Sequence, residues 1–100
     1  MKRFTLEVDN VVLLCTIELT INQYRKVQKI WDLPKYKWET NPLNRAIMEN
    51  GCLNDRDIEC NGHLGPYIYF TCNTIDQAQK IRDAVQKVMD TPLSKLKKYI

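Results

Sequence analysis

One hundred residues give room for one domain with one core. Apolar residues make up 44% and charged residues 27%, the balance of a folded globular chain rather than a disordered one. The net charge of +3, from 15 Lys and Arg against 12 acids, falls short of the basic stripe of a dedicated DNA-binding domain.

The longest unbroken apolar run, residues 11–15, is too short to cross a bilayer. Lys2 and Arg3 open the chain, but no apolar signal-peptide segment follows them. A cytoplasmic location is therefore expected, with no membrane contact. In that compartment the four cysteines, Cys15, Cys52, Cys60 and Cys72, are expected as thiols or metal ligands rather than as a disulfide framework.

In chain order, residues 3–8 alternate, with Phe4, Leu6 and Val8 on one face. Asp9 and Asn10 both tolerate positive φ and suit a two-residue turn. That turn sets Val11 opposite Val8, Leu13 opposite Leu6 and Cys15 opposite Phe4, and Ile17 and Leu19 continue the same face. "TINQYRKVQKIWDLP" reads as a helix. Thr20 and Gln23 form a capping box, Leu19 and Tyr24 a hydrophobic staple, and Tyr24, Val27, Ile30 and Trp31 the apolar spacing, with Pro34 as the stop. "KYKWETN" connects to a short helix capped by Asn41, with Pro42 at its first position, Leu43, Ala46 and Ile47 inward, and Gly51 past its end.

A third strand is expected over residues 57–60 and a fourth over "YIYFTC", joined by "NGHLGP". "NTIDQAQKIRDAVQKVMD" follows as a helix with Ala78, Ile81, Val85 and Val88 inward, opened by Thr74 and Gln77. Thr91-Pro92 starts a last short helix. The fold expected is a single α+β domain: a four-stranded, mainly antiparallel sheet with helices on one face, in the order ββα(α)ββα(α). The repeated TINQ and TIDQ hint at two related halves. The strands ahead of them argue against it, because their core parity is opposite.

The functional signal lies in what this sheet presents to the other side. In the second strand the outward residues are Val12, Leu14, Thr16 and Glu18. In the last they are Tyr67, Tyr69 and Thr71, or, if Asn61-Gly62 is itself a two-residue turn, Ile68, Phe70 and Cys72. Either register leaves that strand apolar on both faces, where a solvated sheet face should be polar. Burying Val12, Leu14, Tyr67 and Tyr69 is worth ~1.5–3 kcal/mol for each side chain.

Three covers compete for this face. One is the chain itself, through the KYKW connector or the tail with Leu93, Leu96 and Ile100. A second is a protein interface, with a foreign partner or a second copy, flanked by Tyr36 and Trp38. The third is single-stranded nucleic acid, stacked on Tyr67, Tyr69 and Trp38 and held by Lys35, Lys37, Lys95, Lys97 and Lys98. Asp55, Asp57 and Glu59 would repel a phosphate backbone from that side. The lysines also have plainer readings, as solvated neighbours of packed rings and as charges near a helix C-terminus.

Chemistry is thin. Cys60 and His63 have half of a zinc spacing, but Cys52 and Cys72 supply no matching second half. Asp55, Asp57 and Glu59 alternate on one face and could converge on Mg²⁺, yet a charged strand that discourages edge pairing accounts for them as well. No Gly-rich phosphate loop, nucleophile elbow or zinc-protease helix is present. The sequence thus points to a non-enzymatic interaction protein without a cofactor, docking sterically on a protein partner or on itself. Small inhibitors and adaptors of this kind include those carried by phages and mobile elements.

Overall fold

A computed structural model describes residues 2–9, 11–31, 41–51 and 66–96. In chain order the elements are β1 (Arg3–Asp9), β2 (Val12–Glu18), α1 (Ile21–Trp31), α2 (Pro42–Met48), β3 (Tyr67–Cys72), α3 (Ile75–Asp90) and α4 (Leu93–Leu96). The class is α+β. Among the described residues the sheet has three antiparallel strands in the order β1-β2-β3, with β2 in the centre. The strand expected over residues 57–60 lies outside the described residues.

Period-two alternation along β2 and β3 sorts the side chains. Leu13, Cys15 and Ile17 of β2 are buried, as are Ile68, Phe70 and Cys72 of β3. They share the face covered by α3, whose inward residues are Ala78, Ile81, Val85 and Met89. This settles the parity of β3, with Tyr67, Tyr69 and Thr71 on the opposite face. Val88, expected inward on α3, is only partly buried against the core, and Met89 takes the buried place. The steps from Ile81 to Val85 to Met89 are four residues each. The true period of 3.6 puts the next position between 88 and 89, and packing at the helix end decides between them.

The hairpin register differs from the one expected. Val8 pairs with Leu13, Leu6 with Cys15 and Phe4 with Ile17, so the strands close at Asp9 and Val12 and Val11 belongs to the turn. The shift amounts to two residues along the partner strand and leaves every side chain on its predicted face, so alternation alone cannot detect it. Charge separates the two registers: the observed one sets Arg3 opposite Glu18, and Lys2 bridges the same carboxylate at 3.3 Å.

Helix starts follow the local chemistry. Thr20 N–H donates to Gln23 Oε1 (3.0 Å) and Gln23 N–H to Thr20 Oγ1 (3.2 Å), a reciprocal capping box at α1. At α3 the Gln77 N–H donates to Thr74 Oγ1 (3.2 Å), but Gln77 Oε1 accepts from Asn73 N–H instead. The two boxes therefore close differently. Asn41 Oδ1 caps α2, accepting from Leu43 and Asn44 N–H. Gly51 ends that segment at φ +95°, where a Cβ would come within 3.2 Å of Gln77 Nε2.

One long-range polar contact ties the helices together. The Lys26 ammonium of α1 donates to the carbonyl oxygens of Met89 and Thr91, closing the C-terminal end of α3. Burial lowers the Lys26 pKa below its ordinary 10.5, while Asp90 acts in the opposite sense. Folding therefore disfavours the ammonium form. Just below pH 10.5 the unfolded chain binds more of this proton, so the contribution of Lys26 to stability rises with pH across that window. Urea unfolding should show Lys26→Met less stable by about 1–2 kcal/mol at neutral pH, with exposed Lys29→Met changed by less than about 0.5 kcal/mol. The gap between wild type and Lys26→Met should widen as pH climbs toward 10.5; a gap that shrinks there would mean that the carbonyl bonds and Asp90 favour the ammonium more than burial disfavours it.

Candidate functional site

The face of the sheet away from α3 is built in three rows across the strands. Arg3, Glu18 and Tyr67 lie side by side; Thr5, Thr16 and Tyr69 come next; Glu7, Leu14 and Thr71 follow. Val12 extends the Leu14 column toward the hairpin turn. The four residues expected to anchor a partner, Val12, Leu14, Tyr67 and Tyr69, thus stand on one face.

Their exposure is graded. Leu14 is 36% exposed, whereas Val12, Tyr67 and Tyr69 are each half-buried. The Tyr67 and Tyr69 rings sit 6.2 Å apart, tilted by 35°, and so present two non-coplanar aromatic surfaces. A shallow depression of about 320 Å³ lies between Glu7, Leu14, Thr16, Tyr69 and Thr71. Its lining mixes the Glu7 carboxylate and the Thr16, Tyr69 and Thr71 hydroxyls with apolar groups. Cys15 and Phe70 complete its lining.

Leu96 is buried and lines a groove of about 220 Å³ with Pro42, Ala46, Ala84 and Val88 of α2 and α3. Leu93 packs on the same core and borders a hollow beside Asn22 and Lys26 of α1. Both leucines therefore belong to the helix layer and not to the outer sheet face. Tyr36 and Trp38, Lys35 and Lys37, Lys97 and Lys98, and Ile100 lie outside the described residues. Lys95 is exposed on α4.

Asp55, Asp57, Glu59, Cys52, Cys60 and His63 are outside the described residues. Cys72 is buried on the inner face, its Sγ 3.8 Å from Cys15 Sγ and 3.4 Å from the Thr74 carbonyl oxygen. Both are thiols packed as small core residues. Among the described residues no group of three or more His, Cys, Asp or Glu could hold a metal ion. No helix among them is long and apolar enough to cross a membrane.

Sequence reasoning passed over two features of this region. Glu18 stands between Arg3 and Tyr67, so the aromatic pair has a carboxylate neighbour. Leu6 and Val8, read as core, are 40% and 73% exposed at the sheet edge. Cross-strand register would have revealed the first, and the width of the helix layer the second. Comparison with protein-family models, characterised proteins and solved structures finds no match for this chain.

The two faces should separate in a mutational test. Phe70→Ala removes a fully buried ring and should cost about 3–5 kcal/mol in urea unfolding. Leu14→Thr, on the outer face, should stay within about 0.5 kcal/mol of wild type. Comparable losses at both positions would mean that the outer face is core.

Proposed function

We propose that this chain is a non-enzymatic docking module whose outer sheet face captures a protein partner, with Val12, Leu14, Tyr67 and Tyr69 as anchors. The observation that carries this reading is the contiguous placement of Leu14, Tyr67 and Tyr69 on the side away from the helices. Half-buried tyrosines around a leucine form a ready-made anchor cluster, because aromatic rings bring much contact area with little conformational entropy to lose. Binding would act by occupancy, covering a surface on the partner. A cofactor has no part in it.

The alternative is single-stranded nucleic acid stacked on the same tyrosines. The local charge disfavours it. Glu18 beside Tyr67 and Glu7 in the lining of the depression would both face an incoming phosphate backbone. Arg3 and Lys2 offset that charge at one end only, and Lys2 is already engaged by Glu18.

A photo-crosslinking amino acid placed in turn at Leu14, Tyr69 and Met48 tests the reading in the source cells. Met48 is an exposed apolar residue on α2 and serves as the control. One discrete protein adduct is expected from positions 14 and 69, absent from position 48 and insensitive to nuclease. No adduct at either face position, or adducts that nuclease removes, would end the protein-docking reading. Salt gives a second readout: apolar docking changes little between low and high ionic strength, whereas phosphate-driven binding weakens steeply.

A further inference from the structure

β1 is the most exposed strand of the sheet. Only Phe4 among its inner-face residues is well placed, stacked 6.2 Å from Phe70 with the Arg82 guanidinium 5.4 Å from its ring centre. Leu6 and Val8 project on the same face toward solvent. Among the described residues no strand lies beyond β1. An edge with two exposed aliphatic side chains is a template for another strand.

The hydrogen-bonding phase shows what that edge presents. Leu19 donates its N–H to the Pro66 carbonyl oxygen (2.7 Å), so the odd-numbered residues of β2 bond toward β3 and the even-numbered ones toward β1. Across the β1–β2 register the bonding residues of β1 are then Arg3, Thr5 and Glu7. The N–H and C=O groups of Phe4, Leu6 and Val8 face outward. The charge order along the strand is basic first, at Lys2 and Arg3, and acidic later, at Glu7. An antiparallel copy of β1 reverses that order and so complements it.

We infer that β1 is a self-pairing edge: two copies of the chain join antiparallel through their β1 strands about a two-fold axis perpendicular to the sheet, with Thr5 opposite Thr5. In this register Arg3 meets Glu7 of the second copy twice on the outer face, and Phe4 lies beside Leu6 of the second copy twice on the inner face. The Phe4 and Leu6 backbone groups exchange hydrogen bonds across the seam. A perpendicular two-fold requires opposed residues of the same parity, which keeps both inner faces on one side. Moving the register by one step sets Leu6 opposite Leu6, or Phe4 opposite Phe4. The first leaves Glu7 against Thr5 and shifts Arg3 to the last strand position, Asp9, beside the hairpin turn. The second sets Arg3 against Thr5. Only the Thr5-centred pairing joins Arg3 to Glu7 within the body of the strand. This contact uses the edge rather than the Leu14–Tyr69 face and stands independently of the docking reading.

Sedimentation equilibrium of the full chain, carried up to about 1 mM to include weak contacts, tests it. The wild-type chain should be a dimer. Glu7→Arg places a second cation opposite Arg3 and should yield a folded monomer by far-ultraviolet circular dichroism; Arg3→Glu should do the same with two carboxylates. An equimolar mixture of these two variants should re-form a dimer containing one of each, and the double exchange R3E/E7R should dimerise alone. A monomeric wild type overturns the inference, as does a dimer that survives either single change or a mixture that stays monomeric. A dimer lost in Tyr69→Glu but kept in Glu7→Arg also overturns it, by moving the self-contact to the sheet face. Loss of the photo-adducts at positions 14 and 69 leaves the edge contact untouched, so the two readings fail separately.

Discussion

Among the described residues a single helix, α3, lies on three strands and covers only part of them, and most of the surface character of this region follows from that mismatch. A helix with its side chains is about 10–12 Å across, and strands are spaced about 4.7–4.9 Å apart. One helix therefore shields roughly two strands. Here α3 packs over β2 and β3, and the six inner residues of those strands are buried. β1 is left at the margin. Phe4 is reached by Phe70 and Arg82, but Leu6 and Val8 lie progressively farther toward the hairpin turn and are bare.

The remaining helices reinforce this arrangement rather than correct it. α2 packs chiefly on α3, and α1 is drawn to the far end of α3 by the Lys26 bonds to Met89 and Thr91. Leu93 and Leu96 close the helix layer from its own side. The apolar material of the chain is thus concentrated between helices and inner face, and none of the described helices turns toward Leu14 or the tyrosines. Polar neighbours moderate that second face. Thr5, Thr16 and Thr71 separate the apolar groups, and the Arg3–Glu18 pair holds one corner. A patch broken up in this way still offers an anchor.

What was legible in the sequence was local. The capping box at Thr20, the Thr74 N-cap, the Asn41-Pro42 helix start and the Gly51 stop all depend on residues within four positions of one another, and each forms, although Gln77 closes onto Asn73 rather than Thr74. What was not legible depends on partners far along the chain. "YIYFTC" is apolar on both sides, so its burial could be decided only by its pairing with β2, which sets Ile17 beside Ile68 and Leu13 beside Cys72. The hairpin register escaped for a related reason: a slide of two residues preserves every face, and the opposite charges of Arg3 and Glu18 are a weaker signal than alternation. Lys26 looked like any surface lysine, since its acceptors lie more than sixty positions away. Cover by the tail was a fair expectation from Leu93 and Leu96, but helix packing claimed both. The outer face was legible as a set, since whichever register held, one apolar set had to face away from the helices.

Edge and face are also geometrically linked. A two-fold axis perpendicular to the sheet keeps the outer faces of two copies on the same side of a six-stranded sheet. Leu14 and Tyr69 would then appear twice on one continuous surface, related by the axis and separated by the paired β1 strands. Such a surface would be bivalent. A partner that is itself dimeric, or that repeats a short segment, would gain avidity with no new contact, because the second docking event becomes intramolecular. An axis within the sheet plane would instead put the two faces back to back and lose that gain. The order of charges on a seven-residue strand, basic at Arg3 and acidic at Glu7, therefore bears on more than solubility. It favours the axis that leaves both outer faces pointing the same way.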